Sequence, residues 1–186
     1  MAKFVTALKA FLVFSLLLGI LYPLLITGIS QLFMSQEANG SLIEKNGVII
    51  GSSLIGQKFT QPKYFHSRPS AIDYDATNSG GSNLAPSNPR LLSDVTDRIK
   101  QVMRENSLPP KQPVPADMVL TSGSGLYPHI SRANALLQLP RVAAARHLAH
   151  TAVRQLIDTN IDLDFIGIWG EAGVNVLKLN LALDAL

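Results

Sequence analysis

The feature that most constrains this chain is an apolar run close to its start, from Ala10 to Phe33. No charged side chain occurs between Lys9 and Glu37. A helix needs about 20 apolar residues to cross a hydrocarbon core, and about 25 are available here. In lipid only a helix lets a single segment satisfy its own backbone polar groups. A cleaved secretory signal would have a shorter apolar core, about 7–15 residues, followed by an A-x-A-like site. The residues before Glu37 (Leu32, Phe33, Met34, Ser35 and Gln36) contain no such pair of small residues. The run reads as a retained anchor, residues 1–36, followed by one domain over residues 37–186.

The flanking charges set an orientation. Lys3, Lys9 and the amino terminus precede the run, and Glu37 is the first charge after it. The positive-inside tendency places the N-terminus in the cytoplasm and the domain outside it. Within the run, Ser15, Gly19, Pro23 and Thr27 recur every four residues, with Gln31 continuing the row. On a helix this is one stripe of small or polar residues, of the kind through which membrane helices pack. Pro23 removes a backbone hydrogen bond and is expected to kink the helix. Lipid-facing helices also carry Gly and Pro, so the stripe has a plain reading beside the partner-helix one.

Of the 186 residues, roughly 150 remain outside the anchor, enough for one compact domain. Formal net charge is +3 and the basic residues are dispersed, which argues against nucleic acid. The chain has no cysteine, so disulfides and thiolate metal sites are excluded and the core alone must hold the domain. His66, His129, His147 and His150 form no two-histidine motif with an acidic partner, and no metal is expected.

The domain reads as α+β. Leu42 to Ile50 alternates around Asn46-Gly47, a hairpin with a type I′ turn. Asn78 to Pro89 is almost entirely turn formers and reads as an ordered loop. Asn88-Pro89 opens a helix whose Leu92, Val95, Ile99 and Val102 share one face, with Asp94 and Arg98 paired opposite. Ser131 caps a helix from Arg132, and Pro140 restarts it, with Val142, Ala145, Ala149, Ala152, Val153 and Leu156 as its buried stripe. Leu177, Leu179, Leu181 and Leu183 alternate with polar or small residues, which predicts a terminal half-buried strand. Trp169 is expected in the core.

Thr121-Ser122-Gly123-Ser124-Gly125 is the sharpest local signal. Its amides, placed before a helix, could cradle a phosphate. It lacks the Gly-Lys-Ser/Thr end of a P-loop, and it is not G-x-S-x-G, because position 122 is Ser. Ser122 or Ser124 with His129 and Asp117 would compose a Ser-His-acid set, which makes a membrane-anchored extracytoplasmic serine hydrolase the alternative reading. The favoured one is a docking surface, in which Ser79, Gly80, Gly81, Ser82, Asn83, Ser122, Gly123, Ser124, Gly125 and His129 contact a partner or nucleotide, with Phe65 and Arg68 as anchors. No catalytic residue is assigned.

Several longer motifs recur in one order along the chain. They are Tyr22-Pro23, Ala38-Asn39-Gly40-Ser41, Leu54-Ile55-Gly56-Gln57, Tyr64-Phe65-His66-Ser67-Arg68-Pro69-Ser70-Ala71, Ser79-Gly80-Gly81-Ser82-Asn83-Leu84 and Pro86-Ser87-Asn88-Pro89. They continue with Val114-Pro115-Ala116-Asp117, Ser122-Gly123-Ser124-Gly125-Leu126, Pro128-His129-Ile130-Ser131, Pro140-Arg141-Val142-Ala143 and Val174-Asn175-Val176-Leu177. In these the chain resembles the C subunit of the bacterial Kdp potassium-transporting P-type ATPase. It departs from that family at Tyr127, where an aspartate is usual. The resemblance implies a one-helix, non-catalytic subunit of the bacterial inner membrane with its soluble domain periplasmic. Its partners would be a channel-like potassium-binding subunit and an ATP-hydrolysing subunit. It implies no cofactor of its own, with ATP met only through the complex, and a role in assembly, extending to a catalytic chaperone that raises ATP affinity.

Overall fold

The computed structural model describes residues 1–162 and 170–186, so the expectation for Trp169 lies outside the described residues. The chain combines helices and antiparallel sheet and divides into two compact units, Met1–Ser52 and Ser53–Leu186.

In the first unit, α1 (Ala2–Leu16), a π-helical turn (Leu17–Leu21) and α2 (Tyr22–Phe33) follow one another without a break. Together they make one helical stretch, Ala2–Phe33, long and apolar enough to cross a membrane, and none of its hydrophobic window is buried. The disturbance expected at Pro23 takes the form of the π turn. Proline lacks the N–H, and its ring presses on the carbonyl four residues earlier, that of Gly19. Widening the spiral just before it relieves both problems.

Met34 leaves helical geometry, with φ −141° and ψ 43°, and the short α3 (Ser35–Ala38) follows. The side-chain amides of Gln31 and Asn39 then donate to each other at 3.2 and 3.3 Å, tying this corner to the last turns of α2. The predicted hairpin is present as β1 (Leu42–Lys45) and β2 (Val48–Ser52), antiparallel, with a bulge between Ile43 and Glu44. Asn46 and Gly47 have φ of 55° and 77°, the two positive values that a type I′ turn requires.

The second unit is built on α4 (Pro89–Glu105), α5 (Arg132–Arg146), α6 (His150–Thr159) and α7 (Val176–Asp184). A small sheet of order β3-β5-β4 joins them, with β3 His129–Ile130, β4 Ile161–Asp162 and β5 Gly173–Asn175, all neighbours antiparallel. Phe65, Ile130, Leu139, Val142, Val153, Ile157, Val174, Leu179 and Leu183 fill the main core. A second cluster seats Val95, Ile99 and Val102 of α4 on Met118, Val119 and Leu137.

Four local expectations change. The terminal leucines form a helix, α7, and not a strand. Val176, Leu179, Asn180 and Leu183, spaced i, i+3, i+4, i+7, are buried together with Leu177, and the Asn175 side chain caps the helix by accepting from the Lys178 N–H at 3.1 Å. The alternation of leucines was a coincidence of two helical faces. Pro140 lies inside α5 and does not restart it, because Leu139, Val142 and Ala143 around it are buried and hold the helix together. The break comes at His147, whose left-handed φ of 56° ends α5, so His147 and His150 flank a turn and Ala145 and Ala149 are exposed. On α4, Leu92 is 58% exposed, and Arg98 reaches the Val119 carbonyl at 3.0 Å.

Candidate docking site

The two Gly/Ser loops singled out in the sequence lie against each other. The Gly80 N–H donates to the Ser124 carbonyl at 2.8 Å, the Ser79 hydroxyl donates to the same oxygen at 3.1 Å, and Thr121 reaches Ser82 at 3.4 Å. Glycine is required at two of these places. A Cβ on Gly81 would stand 2.9 Å from the Gly123 oxygen. At Gly125, where φ is +69°, it would stand 2.5 Å from Ile72 Cγ1 and 2.7 Å from the Gly80 oxygen. The Ser122 N–H bonds the Pro69 carbonyl at 3.2 Å, and the Ser124 hydroxyl accepts from the Leu126 N–H at 3.1 Å. The loops therefore spend backbone groups and hydroxyls on one another, which makes them rigid. Ser79, Asn83 and Gly123 remain exposed, whereas Ser122 and Gly125 are buried.

Arg68 borders this pair. Its guanidinium lies 5.6 Å from the Tyr127 ring centroid, and its carbonyl accepts from the Tyr74 hydroxyl at 2.6 Å. Burial and the neighbouring Asp73 push the Tyr74 phenol up to about 12. The Arg68 Nε is buried without a hydrogen-bond partner among the described residues. Phe65, expected beside it as a surface anchor, is fully buried: both its backbone groups bond the Asn180 side chain, at 2.9 and 3.0 Å. Its pattern looked like a recognition motif because an aromatic beside arginine reads the same in a core as at an interface.

The Ser-His-acid set is not brought together by its hydrogen bonds. His129 Nε2 contacts Asp162 at 2.9 Å, its strand pairs with β5, and its ring tilts against Tyr127 with centroids 5.5 Å apart. Burial raises the Asp162 carboxyl, but hydrogen bonds from His129 and Lys178 outweigh this and hold it below its ordinary value. Asp117 accepts from the Ser131 N–H at 2.7 Å, the Ser131 hydroxyl at 3.0 Å and the Asn134 amide at 3.0 Å. That carboxylate reinforces the N-terminus of α5, a structural task. A cavity of about 60 Å³ lies between Arg68, Asp117, Tyr127, His129, Ser131 and Glu171. Among the described residues no group of three or more His, Cys, Asp or Glu could hold a metal ion.

Sequence reasoning missed a larger cleft of about 260 Å³ between α4 and the 58–74 segment, with Lys58, His66, Tyr74, Arg98, Glu105 and Gln138 in its wall. Behind it, Gln138 donates to Asn134 at 2.7 Å and to the His66 carbonyl at 3.1 Å, and accepts from the His66 N–H and from Arg141. The only sequence signal was a pair of amides, Asn134 and Gln138, one turn apart on α5, whose other buried residues are all apolar.

Ser15, Gly19, Pro23 and Thr27 are all exposed on the long helix, and a Cβ on Gly19 meets nothing within 4 Å. The family described as "KdpC: K+-transporting ATPase, c chain" matches residues 4–185. Relatives named "Potassium-transporting ATPase KdpC subunit" include one from Mycobacterium tuberculosis (strain ATCC 25618 / H37Rv), 52% identical over 182 residues, covering 97% of this chain and 96% of the relative. Another, from Caldanaerobacter subterraneus subsp. tengcongensis, is 49% identical over 176 residues, covering 95% and 91%. A third, from Koribacter versatilis, is 49% identical over 185 residues, covering 97% and 93%. With nearly its full length matched, the chain belongs to the KdpC family, the c chain of the K+-transporting ATPase.

Proposed function

We propose that this chain is a non-catalytic subunit that assembles and stabilises the potassium-binding and ATP-hydrolysing subunits of the Kdp complex. Its helix crosses the bilayer with the N-terminus in the cytoplasm and packs on a partner helix through Ser15, Gly19, Pro23 and Thr27. Its domain stands outside the cytoplasm, in the periplasm of an inner membrane, and docks through Arg68, Tyr127 and the loops 79–83 and 122–125. Any rise in the ATP affinity of the hydrolysing subunit follows from assembly. The observation that carries this reading is the interlocked loop pair: a preformed surface binds without an ordering cost, while the Ser124 hydroxyl, the His129 imidazole and the Asp117 carboxylate are engaged separately.

The test is purification of the complex from membranes through a tag on this chain. Arg68→Ala should lower recovery of the partner subunits and potassium-stimulated ATPase together. Unchanged recovery and turnover would remove Arg68 from the interface. Loss of turnover by orders of magnitude on Ser124→Ala, with the complex intact, would place chemistry at the loop and overturn the reading.

A further inference from the structure

Arg68 is set apart from the other half-buried arginines of the second unit. Arg98 donates to the Val119 carbonyl, Arg141 to Pro62, Tyr64, Asn106 and Gln138, and Arg146 to Lys63, Leu183 and Asp184. Among the described residues the Arg68 guanidinium has no acceptor and no carboxylate within ion-pairing distance. Its Nε is closed off from solvent, so the donors still open are those on Nη1 and Nη2. The Tyr127 ring offsets part of the charge without supplying an oxygen. A half-buried guanidinium in this state has given up water and received little in return.

The space beside it limits what can meet that need. The cavity Arg68 shares with Asp117, Tyr127, His129, Ser131 and Glu171 is about 60 Å³. A small-molecule site takes roughly 300 Å³ or more, whereas a single water needs only about 10–15 Å³. The end of one side chain fits between these limits. The acids of the wall do not fill the place. Asp117 is spent on Ser131 and Asn134, and His129 is paired with Asp162. Glu171, on the exposed rim, forms no ion pair among the described residues.

We propose that Arg68 receives, through Nη1 and Nη2, the carboxylate of an aspartate or glutamate side chain of another subunit, whose end occupies this cavity. The inference rests on the reading that this face docks, and it names the chemistry of the docked group. The two amino groups of a guanidinium match the two oxygens of a carboxylate, so the contact is bidentate and charge-assisted. An amide or a hydroxyl would satisfy one donor and leave the charge unpaired. The Tyr127 ring, 42% exposed, borders the same opening and keeps water from one side of the pair.

Crosslinking in the assembled complex tests this. Arg68→Lys keeps the charge and brings a primary amine, which a water-soluble carbodiimide joins as an amide to a carboxylate in contact with it. The complex, purified from membranes through a tag on this chain, is treated and mapped by mass spectrometry. The expected product links position 68 to one aspartate or glutamate of another subunit. A link from position 68 only to Glu171 or Asp117, or no link in an intact complex, overturns the partner carboxylate and leaves the docking reading standing. If Arg68→Lys does not assemble, Glu171→Lys brings the amine to the rim of the same cavity. Failure of that variant to link to another subunit overturns the proposal in the same way. On the unaltered protein, phenylglyoxal should modify Arg68 severalfold more slowly in the complex than in the full chain alone. Equal rates would overturn the docking reading as well.

Discussion

The guanidinium of Arg68 lies over the ring of Tyr127, 5.6 Å from its centroid, while its own Nε is buried without a hydrogen-bond partner among the described residues. A cation held this way relies on the aromatic face for part of its compensation, worth about 0.5–2 kcal/mol. Tyr127→Ala should therefore lower the stability of the full chain in detergent by about 1–2 kcal/mol. Tyr127→Asp offers the guanidinium a carboxylate and should lose clearly less. Urea unfolding of the two variants checks this, and equal losses would show that the ring matters only for packing.

The glycines of the loop pair make opposite predictions two residues apart. Gly125 combines a φ of +69° with an added Cβ 2.5 Å from Ile72 Cγ1, whereas the added Cβ of Gly123 meets nothing within 4 Å. Gly125→Ala should cost about 2–4 kcal/mol, from left-handed strain and displaced neighbours. Gly123→Ala should stay within about 0.5 kcal/mol of the parent. Thermal unfolding in the same detergent separates them. A tolerated Gly125→Ala would mean that the two loops are free to part.

These two loops show how far the sequence carries. Turn chemistry and caps are local, so the Asn46-Gly47 hairpin, the Asn88-Pro89 helix start and the Ser131 cap were legible in sequence order. The contact of Gly80 with Ser124 joins segments 44 residues apart, and nothing in either segment encodes the distance to the other. The same limit explains Phe65, whose partner is Asn180, and Asp117, whose partners are Ser131 and Asn134. In α7 the failure was of another kind. Leucines at every second position satisfied a strand pattern, and burial of Asn180, which a half-buried strand would have turned outward, decided for the helix.

His66 gives the domain a pH dependence with a definite sign. Burial holds its imidazole below the ordinary value of 6.5, and the Arg141 guanidinium adds to this. The bond to the Gln61 carbonyl and the Glu105 carboxylate only partly offset them. The unfolded chain therefore takes up a proton before the folded one does. Stability is complete above 6.5, falls as pH drops from there toward the lower folded pKa, and is level again below it. His66→Gln should flatten that part of the profile. Resonances of the His66 ring followed by NMR should titrate with a midpoint under 6.5, and a midpoint at or above it would contradict the sign.

Gly19 separates a partner-facing helix from one that meets only lipid. A side chain there clashes with nothing in this chain, since an added Cβ finds open space within 4 Å. Leucine is also at least as favourable as glycine for insertion into a bilayer. Gly19→Leu should consequently leave the amount of chain in the membrane unchanged. If another subunit's helix approaches along Ser15, Gly19, Pro23 and Thr27, the larger side chain must push the two backbones apart, because small residues are what permit the close approach. Recovery of the partner subunits through a tag on this chain should then fall severalfold, while Leu18→Ala on the neighbouring surface should change it little. Equal recovery for Gly19→Leu and the parent, at equal membrane levels, would mean that the stripe faces lipid.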